Sequence, residues 1–307
     1  MLANRIAGAL GLPVRTIQVL ARKANHSYKT YRIPKRNGGS RVIHHPAKQL
    51  KAVQRWLLDH VIDEWPVHSA ATAYRRGISI KANAEIHAAS KYLLRMDFSN
   101  FYPSISDKDI LSFLNSERPS NTADWDLKDK NLFVNIVCRD NSLTIGAPSS
   151  PGISNAICIE LDRRLAGLAQ ANQLIYTRYA DDLSFSSRIP DRLTNIPAQV
   201  ASILQDLSFP SALGVNPEKT RHSSKRSRRR VTGLVLASDG TVSLGRHRKR
   251  WIRSLVFKYE SLNTEEKSSL AGLLSFSKSI DPDFINSLVI KYGYDRVSNA
   301  QRHPTEV

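Results

Sequence analysis

Two adjacent carboxylates constrain this chain more than any other feature. In Ile175-Tyr176-Thr177-Arg178-Tyr179-Ala180-Asp181-Asp182-Leu183-Ser184-Phe185-Ser186, two strand-like runs flank Asp181-Asp182. Leu183 and Phe185 alternate with Ser184 and Ser186, the period-two pattern of a half-buried strand. The acid pair therefore falls at a hairpin turn, where short acidic side chains are tolerated. Two crowded carboxylates repel each other, which invites a divalent cation: Mg²⁺ commonly uses one or two carboxylates plus substrate phosphates. A solvated acidic turn is the alternative reading of the same residues.

A second stretch has related logic. Tyr92-Leu93-Leu94-Arg95-Met96-Asp97 is an apolar run ending in an acid, followed by Phe98-Ser99-Asn100-Phe101-Tyr102-Pro103. A carboxylate at the end of a buried strand is costly unless it is paired or metal-bound. Ser106 with Asp109 is a capping-box pattern for a helix over 107–115. If the strands are neighbours, Asp97 meets Asp181-Asp182.

Charge sets the partner class. The 307 residues hold 45 Lys+Arg against 27 Asp+Glu, a formal net charge of +18. The excess is local: from Arg221 to Arg253 there are eleven Lys or Arg and one acid, Asp239. Such a density points to a polyanion, with a solvated basic face as the bland alternative. Two cysteines, Cys138 and Cys158, exclude a disulfide framework or a Cys-rich zinc site. No run reaches the ~18 apolar residues of a membrane span, and Met1–Leu20 lacks a signal-peptide core, so an intracellular, cytoplasmic protein is expected.

Along the chain, a helical lead precedes two strands, Tyr31–Lys35 and Arg41–Ile43, joined across Asn37-Gly38-Gly39, with Lys35, Arg36 and Arg41 at the turn. Helices are expected over 47–65, 130–139, 150–171 (Ser150 as N-cap, Pro151 first) and 191–207, the last bent near Pro197. Val231–Leu236 and Val242–Leu244 read as a hairpin around Asp239-Gly240. The remainder is helical, its last helix capped by Asp281-Pro282 and stopped by Gly293.

Asp97, then Gly146-Ala147-Pro148-Ser149-Ser150-Pro151, then Tyr179-Ala180-Asp181-Asp182 resembles, in order, the boxes of a reverse transcriptase. Asn83-Ala84-Glu85-Ile86-His87 and Val231-Thr232-Gly233 are similar to elements of the bacterial retron reverse transcriptases. The resemblance implies an α+β right-hand polymerase: N-terminal lead and fingers over 1–90, palm over 91–236 (with 117–145 a helical and loop part shared with the fingers), and a helical RNA-binding thumb over 237–307. It implies that Asp97, Asp181, Asp182 and the Phe98 backbone carbonyl hold two Mg²⁺, with Mn²⁺ as a substitute. Arg41, Arg75, Tyr102, Gly146 and Lys219 would face the incoming nucleotide. The RNA would be met by Asn83, His87, Lys225, Arg226, Arg228, Arg229, Arg230, Val231, Thr232, Gly233, Arg246, Arg248, Lys249, Arg250 and Arg253. A structural pair is the alternative for Asn83 and His87, and core packing for Tyr102.

The family's activity is copying a cognate non-coding RNA from a guanosine 2′-hydroxyl into branched msDNA, using dNTPs. An effector or toxin partner, anti-phage defence and host RNase H acting on the hybrid are implied with it, and no membrane. The family usually has Gln where this chain has Ile145, which removes one expected nucleotide contact. Another prokaryotic reverse transcriptase, or a non-catalytic RNA-binding antitoxin subunit, are the competing readings.

Overall fold

The computed structural model describes residues 1–34 and 38–302. Of the expected Asn37-Gly38-Gly39 turn and the cations beside it, Lys35, Arg36 and Asn37 lie outside the described residues, while Gly38 and Gly39 both take positive φ (86 and 75) between the paired strands. β1 (Tyr28–Pro34) and β2 (Ser40–Pro46) pair antiparallel from Tyr28↔Pro46 to Pro34↔Ser40. β3 (Tyr92–Asp97), β4 (Ile175–Tyr179), β5 (Asp182–Ser187) and β6 (Arg221–Ser224) form a sheet of order β4-β5-β3-β6. β7 (Arg230–Val231), β8 (Leu234–Leu236) and β9 (Val242–Ser243) make an antiparallel three-stranded meander. The architecture is mixed α+β, with helices around the sheets and a helical C-terminal part.

The chain divides into two compact units. The first takes residues 1–78, 94–185 and 191–221. Its core gathers Leu50, Leu57, Phe113, Phe133, Leu161, Leu165 and Phe185, all fully buried. Trp65 lies across Phe113 and Phe133 at ring separations of 5.2 and 5.4 Å. The expected capping box is present: Ser106 Oγ accepts from Asp109 N, and Asp109 accepts from Ser106 N.

Several helices differ from expectation for local reasons. The 47–65 helix ends at His60 and continues only as a 3-10 turn, Ile62–Glu64. The 150–171 helix breaks at Cys158 into Ser150–Ile157 and Ile159–Ala171, and its N-cap is Ser149, not Ser150. Pro197 does not bend a helix; it sits in the first turn of Ile196–Gln205, where its missing N–H costs nothing.

The second unit takes residues 79–93, 186–190 and 222–307. Helices Arg246–Phe257, Thr264–Ile280, Pro282–Tyr292 and Tyr294–Gln301 bury Ile252, Val256, Leu270, Leu274, Phe284 and Leu288 with Leu234. Asp281 and Gly293 cap as expected, but a further helix follows Gly293. Val231–Leu236 is not one strand. Thr232 (φ 48) and Gly233 (φ 81) are a two-residue turn closing the Val231↔Leu234 pair, the left-handed geometry tight hairpins need. No helix among the described residues is long and apolar enough to cross a membrane.

Candidate active site

The acids converge in the first unit. Asp97 closes β3, and Asp181-Asp182 lies at the β4–β5 connection. One backbone bond joins the two places, Phe98 N donating to Asp181 O (3.0 Å), and a second, Asn216 N to Asp97 O (2.8 Å), holds the end of β3 to the segment before Lys219. Ala180, at φ 55, makes the turn that presents Asp181. A non-glycine residue held there is strained, and such strain persists where surroundings over-determine it.

The electrostatics record the crowding. Burial first, and Asp97 second, raise the Asp181 carboxyl above its usual range, against Lys219 and Arg41. Burial, then Asp181 and Asp97, push Asp182 up to about 6, with Arg95 and Lys219 opposing. Lys219 Nζ sits 2.5 Å from Asp97 Oδ1. The donor set is all carboxylate and suits a hard divalent cation. Among the described residues, no group of three or more His, Cys, Asp or Glu side chains is gathered into a set that could hold a metal ion.

A cleft of about 730 Å³ opens beside the acids, lined in part by Arg41, His44, Tyr74, Tyr102, Ile145 and Lys219 with Asp181. Tyr102 is fixed by its hydroxyl, which donates to Tyr74 Oη at 3.1 Å. Burial, then Tyr74, raise its phenol pKa, so it stays neutral. Ile145 O accepts from His44 N (2.8 Å), and a Cβ on Gly146 would meet His44 O at 2.6 Å, so that position admits only glycine. Gly146 thus packs on β2 and does not line the cleft. Arg75 is not brought there either: its guanidinium donates to Ala71 O (3.3 Å) in its own loop.

In the second unit the expected RNA-facing residues divide. Lys225, Arg226, Arg228, Arg230, Gly233, Arg246 and Arg250 are exposed. Arg248 and Arg253 lie over the Phe276 and Phe284 rings at 5.5 and 5.2 Å, and Lys249 pairs with Asp281 at 2.6 Å. Four residues do not reach a surface: Asn83, His87, Arg229 and Val231 are all essentially buried. The Arg229 guanidinium donates to the carbonyls of Ser90, Ala88, Leu236 and Ala237, so it ties the meander down and is not placed to grip a phosphate. His87 Nδ1 bonds Ser186 Oγ at 2.7 Å, and burial lowers its pKa to about 4. Thr232 Oγ1 donates to Ile80 O at 3.0 Å, which anchors the Thr232-Gly233 turn.

One group escaped the sequence reading altogether. Arg178, in mid-strand, is fully buried against Asp162, Nη2 to Oδ2 at 2.7 Å. A cation inside an apolar strand pattern was the available signal, since it demands a buried acid. Nothing local says which acid.

A family model described as reverse transcriptase (RNA-dependent DNA polymerase) matches residues 33–236. The chain is similar to the Retron Ec83 reverse transcriptase of Escherichia coli, 37% identical over 293 residues and covering 92% of each chain. It is similar to the Retron Mx162 reverse transcriptase of Myxococcus xanthus, 33% identical over 315 residues, covering 91% of this chain and 64% of that one. Among solved structures it is similar to telomerase from Candida tropicalis in complex with a TWJ fragment of telomeric RNA, with TM-score 0.51 and 14% identity. That match covers 90% of this chain and 54% of the telomerase, and at such identity it shows a shared fold alone.

Proposed function

Since the chain belongs to the retron-type reverse transcriptases, and so is an RNA-directed DNA polymerase, we propose that it copies part of one structured non-coding RNA into branched msDNA, starting from a guanosine 2′-hydroxyl. The observation that carries the catalytic part is the backbone-locked convergence of Asp97 with Asp181 and Asp182, two of them with raised pKa values. These carboxylates, with the Phe98 carbonyl, would hold two Mg²⁺ (or Mn²⁺). When bound, such ions lower the pKa of an attacking hydroxyl and stabilise a departing pyrophosphate.

The chain's own residues do the remainder. Arg41 and Lys219 bring positive charge to the cleft, where a dNTP triphosphate would lie; Arg75 would have to leave its loop carbonyls to join them. Lys219, displaced from Asp97, becomes available to the leaving group. Tyr102, pinned by Tyr74, is a fixed wall that crowds a ribonucleotide 2′-hydroxyl. Gly146 contributes through packing, holding Ile145 beside β2, and Ile145 offers the nucleotide an apolar contact in place of an amide.

In this reading the fingers and palm correspond to residues 1–90 and 91–236, and the thumb to 237–307. The exposed cations Lys225, Arg226, Arg228, Arg230, Arg246 and Arg250 bind RNA phosphates, as suits recognition of structured RNA by shape and backbone. Asn83, His87, Arg229 and Val231 support that surface from inside. Host RNase H trims the hybrid, and an effector protein in anti-phage defence completes the cytoplasmic system. The test is to sequence the nucleic acid that copurifies with the protein. One structured RNA joined to cDNA through an internal guanosine is expected; assorted RNAs, or cDNA begun from a 3′ end, would refute the reading.

A further inference from the structure

Arg178 does more than neutralise Asp162. Its fork is spent on three partners inside the first unit. Nε and Nη2 hold Asp162 (2.9 Å to Oδ1, 2.7 Å to Oδ2), while Nη1 donates to the Ala180 carbonyl at 3.2 Å and to Asn155 Oδ1 at 3.3 Å. Asn155 passes the link on, its Nδ2 donating to the Ala73 carbonyl at 2.7 Å. Tyr176 Oη occupies the remaining face of Asp162 at 2.8 Å. Arg178 and Asp162 are 0% exposed and Asn155 is 2% exposed, so water does not compete.

The two carbonyls at the ends of this chain are not arbitrary. Ala180 precedes Asp181, and Ala73 precedes Tyr74. A hydrogen bond to a carbonyl fixes the plane of the peptide that follows it. At both ends a non-glycine residue sits in the left-handed region: Ala180 at φ 55 and Tyr74 at φ 57. Each conformation is costly and needs outside support. Tyr74 in turn holds Tyr102 across the cleft. The backbone joins the same two places, with Thr72 N donating to Arg178 O at 2.8 Å.

We propose that Asp162, Arg178 and Asn155 form a buried positioning relay that sets the Asp181 turn and the Tyr74–Tyr102 wall in one register, so that the acids and the nucleotide pocket are aligned as a unit. Arg178 and Asn155 touch no substrate; they are positioning residues. Lysine at 178 would keep the charge but not the fork, since one ammonium cannot reach three partners in a plane. Asn155→Ala cuts only the pocket end and leaves the ion pair whole.

The inference rests on nucleotide addition at Asp97, Asp181 and Asp182, so Asp181→Asn is assayed beside the relay variants. Steady-state dNTP incorporation on the copurified RNA is measured for Asn155→Ala and Arg178→Lys, with rNTP competition. For Asn155→Ala, KM for dNTP should rise roughly tenfold and discrimination against rNTP should fall, with kcat within about twofold, as expected for a misplaced wall. Arg178→Lys should lose kcat as well. If Arg178→Lys does not fold, Asn155→Asp, which keeps the acceptor for Arg178 and loses the donor to Ala73, should repeat the Asn155→Ala pattern. Unchanged KM and selectivity in Asn155→Ala, whether or not kcat falls, would overturn the relay while an inactive Asp181→Asn leaves the site assignment standing. Synthesis surviving in Asp181→Asn would overturn the assignment itself.

Discussion

The acid cluster of the first unit and the basic stretch of the second both concentrate charge, but they treat it in opposite ways. Asp97, Asp181 and Asp182 are kept close and largely out of water; burial first, and the neighbouring carboxylates second, raise Asp181 and Asp182, against Lys219, Arg41 and Arg95. Cations between 225 and 253 are divided by their surroundings. Some face solvent, and others are taken by internal partners, as Lys249 is by Asp281 and Arg229 by four carbonyls. The first arrangement stores repulsion that a bound cation would relieve. The second stores little and works by sum. Loss of one acid should therefore be close to total, while loss of one exposed cation should be nearly unnoticed.

Asp97→Asn gives the largest expected effect. Incorporation should drop by about 10³-fold or more, the scale seen when a transition-state charge loses a dedicated partner, with RNA retention in a filter-binding assay unchanged. In the second unit, Arg229→Met should behave unlike its exposed neighbours. It removes the guanidinium donors from the carbonyls of Ala88, Ser90, Leu236 and Ala237 and should cost about 2–4 kcal/mol in urea unfolding, with no change in the salt dependence of RNA binding. A loss of affinity at full stability would instead place Arg229 among the RNA contacts.

His87 should show a smaller, pH-dependent effect. Burial holds its folded pKa near 4, below the ordinary 6.5. The unfolded chain therefore takes up a proton first, and the stabilisation from neutral His87 is full above pH 6.5 and lost as pH falls toward 4. Against His87→Gln, the wild-type advantage should shrink by about 2–3 kcal/mol over that window; an advantage that grows on acidification would reverse the assignment. Arg226→Ala comes last. The slope of log K against log salt should change by about one unit or less, and affinity only a few-fold.

What the sequence disclosed, and what it hid, follows from range. Ser106 and Asp109 announce their helix because the capping box closes within four residues. The turn at Asp181-Asp182 was legible because strand-like runs bracket two short acidic side chains of the kind a hairpin tolerates. Thr232-Gly233 was missed as a turn because Val231, Thr232, Leu234, Val235 and Leu236 are all strand formers, and only the left-handed backbone at Thr232 and Gly233 breaks the run. The break at Cys158 has no breaker residue to mark it. Asp162 as the partner of Arg178, and the burial of Asn83, His87 and Arg229, depend on contacts made far along the chain. The charge run predicted a basic surface correctly in bulk but could not say which arginine turns inward.

Nucleotide addition at Asp97, Asp181 and Asp182 acting together is the chemistry proposed for the first unit. Its most direct test is single-turnover dNTP incorporation with Mg²⁺ by the Asp181→Asn, Asp182→Asn double variant, on the RNA it copurifies with. RNA should be bound as in the wild type, with no extended product. Extension at the wild-type rate would contradict it.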